Sequence, residues 1–169
     1  MLTFPTATIT AKVSFLNKLI HLVNVGNGSV LDISPSQIVA GLEPLNTNRL
    51  LMMFGLIALD ANIDRHDLVQ HCLSGKGIDE FRQKQNIASQ MLPKNPPPKE
   101  EVLEVIDTVG HLIQGCNDEV EQTRTMISNI IDKPKCTDTL LGKPPFRFIH
   151  DIITEIGRTT QFDLTQIFR

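Results

Sequence analysis

The stretch GKPPFRFIHDIITE, residues 142 to 155, sets a double proline, two phenylalanines and one arginine ahead of a run of isoleucines. Proline at a first helical position costs nothing, because the N–H it lacks has no intrahelical acceptor there, and its fixed φ suits a helix start. A helix opening at Pro145 places Phe148, Ile149, Ile152, Ile153 and Ile156 on one stripe, with Phe146 also in the core. The three- and four-residue steps are those of an amphipathic helix. His150, Asp151, Thr154 and Glu155 then face outward or bridge to a neighbouring helix. Adjacent helical positions do not face each other, so His150 and Asp151 read as makers of structural hydrogen bonds rather than as a catalytic pair.

The same periodicity runs outward through the chain. AKVSFLNKLIHLVNV (11 to 25) puts Val13, Leu16, Leu19, Ile20 and Val23 on one face, and Gly26 and Gly28 are its expected stop. TNRLLMMFGLIALDA (47 to 61) is apolar nearly all round and reads as the central helix, with Asn46 or Thr47 as N-cap. DRHDLVQHCLSG (64 to 75) opens on an Asp64 cap and stops at Gly75, and a polar helix is expected over 77 to 91. The prolines of PKNPPP (93 to 98) read as a linker. Beyond it, Val102, Val105, Val109, Leu112 and Cys116 form an apolar stripe behind an acidic start, and a second helix carries Val120, Thr123, Ile127 and Ile130. SVLDI (29 to 33) is too short for a strand, so the fold class is all-α.

Composition bounds the function. The chain has 169 residues, 41% of them hydrophobic and 21% charged, which suits one domain with a proper core. A net charge of −3 gives no pull toward nucleic acid. Three well-separated cysteines fit reduced thiols in the cytosol better than a disulfide framework. No segment approaches the roughly 20 apolar residues of a membrane span, and LLMMFGLIAL (50 to 59) reads as buried core. The N-terminus lacks the basic flank and cleavage site of a signal peptide. The expectation is a soluble intracellular protein without membrane insertion.

Little in the chain resembles chemistry. His66, His71 and Cys72 are close in sequence, but the two histidines fall on different helix faces, so no metal site is expected. Lys135 would lower the thiol pKa of Cys136, yet without a partner histidine a structural cysteine is the simpler role. GNGS (26 to 29) and SGKG (74 to 77) lack the strand and spacing of phosphate loops and read as helix ends. No cofactor and no enzymatic activity are expected. Lys133, Lys135, Lys143 and Arg147 fall close together in a chain that is otherwise near charge balance. Such a cluster either solvates a face or forms a patch for an acidic protein surface.

Two strings, KPPFRFIHDIITE (143 to 155) and PSQIVAGLEPLNTNRLLMM (35 to 53), are similar to the N-terminal domain of the family of intraflagellar transport protein fifty-four, the microtubule-interacting, TRAF-associated protein of cilia. The second string carries the family pattern at Ile38, Val39, Ala40, Gly41, Glu43, Pro44, Thr47, Asn48, Leu50 and Leu51. The resemblance implies a calponin-homology-like helical bundle without cofactors that binds tubulin or microtubules. It also implies partnership with other intraflagellar transport subunits, in the cilium or flagellum, the basal body and the cytoplasm. In the family the KPPFR string comes first; here it comes last. The expected organisation is one circularly permuted domain: 1–75 as the family's C-terminal half, 76–118 as connector, and 119–169 as the N-terminal half. Joining the two ends across a loop brings Lys12 and Lys18 near the other cations. The expected binding face therefore comprises Lys133, Lys135, Lys143, Arg147, Lys12 and Lys18. The alternative reading is an assembly domain of a ciliary transport complex that docks a helix on the Val102–Cys116 stripe and does not touch tubulin.

Overall fold

The computed structural model describes residues 8–75, 77–81 and 120–168, and the described residues form helices joined by short turns. The helices are α1 (Ile9–Asn27), α2 (Pro35–Val39), α3 (Pro44–Leu59), α4 (Arg65–Leu73), α5 (Val120–Ile130), α6 (Asp138–Gly142) and α7 (Phe146–Thr159). The fold is an all-α bundle, as the periodicity requires. The linker at 93–98, the stripe from Val102 to Cys116 and most of the helix expected over 77–91 lie outside the described residues; within that helix, 78–81 are helical.

α3 is the centre of the bundle. Leu50, Leu51, Phe54 and Ala58 are fully buried, and α1, α5 and α7 pack around it. α1 buries a wider face than a single stripe, adding Phe15, Leu22 and Val25 to Leu16, Leu19, Ile20 and Val23, while Val13 of the expected stripe is only half-buried at its edge. α7 buries Phe148, Ile149, Ile152, Ile153 and Ile156, all five of the positions its spacing assigns to the core. After α7 the chain turns back through buried Phe162, Leu164, Ile167 and Phe168. The Phe162 ring stacks on Phe54 at 5.9 Å, and the Phe168 ring stacks on Phe15 at 4.2 Å. Residue 168 thereby meets the second turn of α1.

Several boundaries differ from the expected ones, each for a local reason. Gly26 does not end α1; it lies inside the helix, where a Cβ would come 2.9 Å from Ile57 Cδ1, and the end is made by Gly28 at φ +67°. α3 starts before Asn46 and Thr47, because Pro44 occupies the first turn behind Glu43. The Thr47 hydroxyl instead donates back to the Glu43 carbonyl at 2.7 Å. Pro145 is the N-cap of α7 rather than its first residue. Asp64 caps α4 as expected, its carboxylate accepting from the N–H groups of His66 and Asp67. His150 does not face outward: it is 8% exposed, with the rings of Phe15 and Phe146 at 5.4 and 6.4 Å. α2 and α6, five residues each, are too short to show a period and were not expected.

Candidate partner-binding surface

The two strings that carry the family resemblance meet in space. Asn48 on α3 is fully buried, and its Nδ2 donates to the Leu141 carbonyl of α6 at 3.0 Å. Gly41, in the turn between α2 and α3, sits at φ +71°, a conformation that favours glycine. A Cβ there would come 3.7 Å from Lys143 Cε, so the lysine stem runs along that turn. α6 thus ends against the start of α3, and Lys143 leaves this junction just before the two prolines that lead into α7.

The start of α7 collects positive charge. Arg147 in its first turn is largely exposed, its Nε 3.7 Å from Asp151 Oδ2 one turn further on. Lys12 Nζ lies 5.6 Å from the centre of the Phe146 ring, in cation–π range. No acidic residue stands in the first turn of α7. A helix N-terminus favours negative charge, so three cations there do not serve the helix; they add to its positive end. His150 Nδ1 is 3.3 Å from Asp151 Oδ1, the structural hydrogen bond expected of this pair, although here the two adjacent side chains do meet.

Lys12, Lys143 and Arg147 share this corner. Lys133 does not: it lines a shallow groove with Asp132, Glu155, Arg158 and Thr159, beside the C-terminal half of α7. From Arg147 to Arg158 the helix rises about 16 Å, at 1.5 Å per residue. That exceeds the Debye length of about 8 Å at physiological salt, so the exposed charges at the two ends act separately. Lys135 stays with Lys133 in the turn that leaves α5. Lys18 is half-buried and stands six residues from Lys12, on a different side of α1.

Other cations have structural work. Arg65 Nε donates to the Ala58 carbonyl at the end of α3. Arg124 pairs with Asp138 at 3.0 Å, and Arg158 pairs with Glu155. The Arg158 guanidinium, hydrogen-bonded to Glu155, holds that carboxyl below its ordinary pKa. Arg49 is different: it is exposed on α3, has no ion pair or hydrogen bond among the described residues, and was not singled out by its sequence context.

Among the described residues no group of three or more His, Cys, Asp and Glu is placed to hold a metal ion. His71 is buried, its Nε2 2.8 Å from the Gly77 carbonyl, while His66 is exposed. Burial raises the Cys136 thiol pKa, against the lowering that Lys135 would give, and pushes Cys72 up to about 11. Both are structural thiols held protonated at neutral pH. The two glycine-rich strings are helix ends, with Gly28 and Gly75 at positive φ.

The profile of the family described as "Microtubule-binding protein MIP-T3 CH-like domain" matches residues 6–60 and 119–168. The chain belongs to this family. The MIP-T3 CH-like match takes in α1 to α3 on one side and α5 to α7 on the other, so every residue of the cationic corner lies within it. TRAF3-interacting protein 1 of Mus musculus is 36% identical over 91 residues, 54% of this chain and 14% of the mouse protein. Its counterparts in Rattus norvegicus and Danio rerio are 49% and 48% identical over 43 and 42 residues, each match covering 25% of this chain and 7% of the relative. The chain therefore spans a small fraction of the length of these relatives. No solved structure matches it. Among the described residues no helix is long and apolar enough to cross a membrane.

Proposed function

We propose that this domain is a non-enzymatic microtubule-binding module of the intraflagellar transport machinery, docking on tubulin's acidic surface through the corner made by Lys12, Lys143 and Arg147. The observation that carries the reading is the gathering of these cations at the N-terminal end of α7, where they oppose the helix dipole instead of completing it. The family description supplies the partner. The contact is electrostatic steering and pairing, without bond-making, and weakens with salt.

Co-pelleting of the purified domain with stabilised microtubules, at low and moderate salt, tests this. The domain is expected in the pellet at low salt and largely in the supernatant at moderate salt. A Lys143→Glu, Arg147→Glu variant is expected to bind on the order of tenfold more weakly, since exposed charge pairs contribute about 0.2–1 kcal/mol each and reversal adds repulsion. A Lys133→Glu, Lys135→Glu variant should change binding less, because those charges stand a helix length away. No pelleting at low salt ends the tubulin reading and favours the assembly domain.

The domain order belongs to the same proposal: 1–75, 76–118 and 119–169 as a circular permutant of the family arrangement. Support comes from the Phe15–Phe168 stack, which places residue 168 beside the start of α1. Permutation is tolerated where the joined ends are close. A chain running 96–169 and then 1–95, cut within the proline-rich stretch and closed by a short glycine–serine linker, is expected to keep helical circular dichroism and one cooperative melting transition. An unfolded product would count against the permuted order.

A further inference from the structure

The corner where α3 begins carries two large apolar side chains in water. Leu42 is 72% exposed and Leu45 56% exposed. Single exposed leucines are ordinary on protein surfaces. Here two stand within four residues on a turn whose backbone is fixed from several directions. The Leu42 N–H donates to the Gln37 carbonyl at 3.0 Å, and Asn46 Nδ2 reaches Glu43 Oε2 at 3.2 Å. Gly41 turns the chain at φ +71° beside the Lys143 stem, and Asn48 ties the second turn of α3 to Leu141. Leu45 and Arg49 lie one turn apart on the same face of α3. Neither Arg49 nor Lys143 has an ion pair or hydrogen bond among the described residues. The one carboxylate of the turn, Glu43, is engaged by Asn46.

We propose that Leu42 and Leu45, flanked by Arg49 and Lys143, are the apolar anchor of the partner surface, and that their occupant is an acidic peptide segment carrying a large apolar side chain. This deepens the microtubule reading and rests on it for the source of the segment. Charge complementarity selects the occupant. A second copy of this chain in a two-fold contact would bring the same cations face to face, whereas an acidic segment pairs with both. The rigid turn presents the leucines with little conformational freedom left to lose on binding, so their burial adds affinity at small entropic cost.

Two measurements test the proposal. The first compares two fluorescein-labelled synthetic peptides of equal charge by polarisation, one of glutamates spaced by serine and one with a single phenylalanine at the centre. The phenylalanine peptide is expected to bind about tenfold tighter, the return for burying one large apolar side chain. A Leu42→Ser, Leu45→Ser variant, exposed sites that leave the core untouched, should remove that preference. The second is microtubule co-pelleting. The double-serine variant is expected to bind more weakly by the same factor at both salt concentrations, while Arg49→Ala with Lys143→Ala acts mainly at low salt. Equal binding of the two peptides, or a folded double-serine variant that pellets as well as a parent that does pellet, overturns the proposal. If the parent prefers the phenylalanine peptide yet never pellets with microtubules, the anchor stands and tubulin is not its source.

Discussion

Replacing Phe15 with alanine is expected to destabilise the domain by about 3–5 kcal/mol, the range for removing a buried aromatic ring. Phe15 is 4% exposed and joins three parts of the bundle. Its ring meets Phe146 edge-on at 5.6 Å, stacks on Phe168 at 4.2 Å and lies 5.4 Å from His150. Truncation opens a cavity whose walls belong to α1, α7 and the returning C-terminal segment, and three separate elements do not collapse together. Phe15→Leu keeps much of the volume and should cost less than half as much. Urea denaturation followed by circular dichroism reads both changes as shifts of the midpoint. An alanine variant within about 1 kcal/mol of the parent would show that the aromatic cluster is not a stabilising core.

Asn48→Ala comes next, at about 2–3 kcal/mol. Asn48 has no exposed surface, and its amide is the buried donor to the Leu141 carbonyl. Alanine leaves that carbonyl without its donor and adds a small void, and an unsatisfied buried acceptor costs about 1–3 kcal/mol alone. Asn48→Asp is expected to be worse at neutral pH, since a carboxylate cannot donate and its charge is costly to bury. Asn46→Ala is the control: its bond to Glu43 is partly exposed, and its loss should stay within about 0.5 kcal/mol. Denaturation midpoints that rank Asn46→Ala equal to Asn48→Ala would contradict this account. Because the Leu141 bond also sets where Lys143 leaves the bundle, Asn48→Ala is expected to weaken microtubule binding secondarily.

α1, α3, α5 and α7 were legible because their apolar residues run over about three turns or more, and the nine-residue α4 through its Asp64 cap. α5 and α7 carry the expected core positions and α1 all of them but Val13, and the family strings pointed to the bundle type. Legibility failed where local chemistry replaced periodicity. Prolines moved the starts of α3 and α7, and a glycine inside α1 serves close packing against Ile57 instead of termination. His150 looked outward on a single helix, and only the rings of Phe15 and Phe146 from two elements explain its burial.

The proposed binding face could be read from the sequence only in part. The cations from 133 to 147 are neighbours in sequence, but α6 and the turns on either side of it carry them to different ends of α7. Lys12 joins Arg147 and Lys143 only through Phe146. Leu42, Leu45 and Arg49 gave no signal, because sequence alone does not separate an exposed leucine from a buried one, and a single arginine on a helix is ordinary. What marks them out is the fold, which exposes both leucines and brings the Lys143 stem beside the Gly41 turn from a distant part of the chain.

The polar ties that close the bundle also bear on how fast it forms. Asn48 and Leu141 are 93 residues apart in sequence, and Gln70 bonds Gln166 across 96. Helical domains usually fold quickly because most of their contacts are local, within microseconds to milliseconds. Here the contacts that position α6 and the returning segment are distant ones, and the entropy of closing such loops is lost before any packing compensates it. The meeting of the two halves adds this loop-closure cost to a bundle of helices, and its folding is expected to be slower than that of a helical domain closed by neighbouring segments alone.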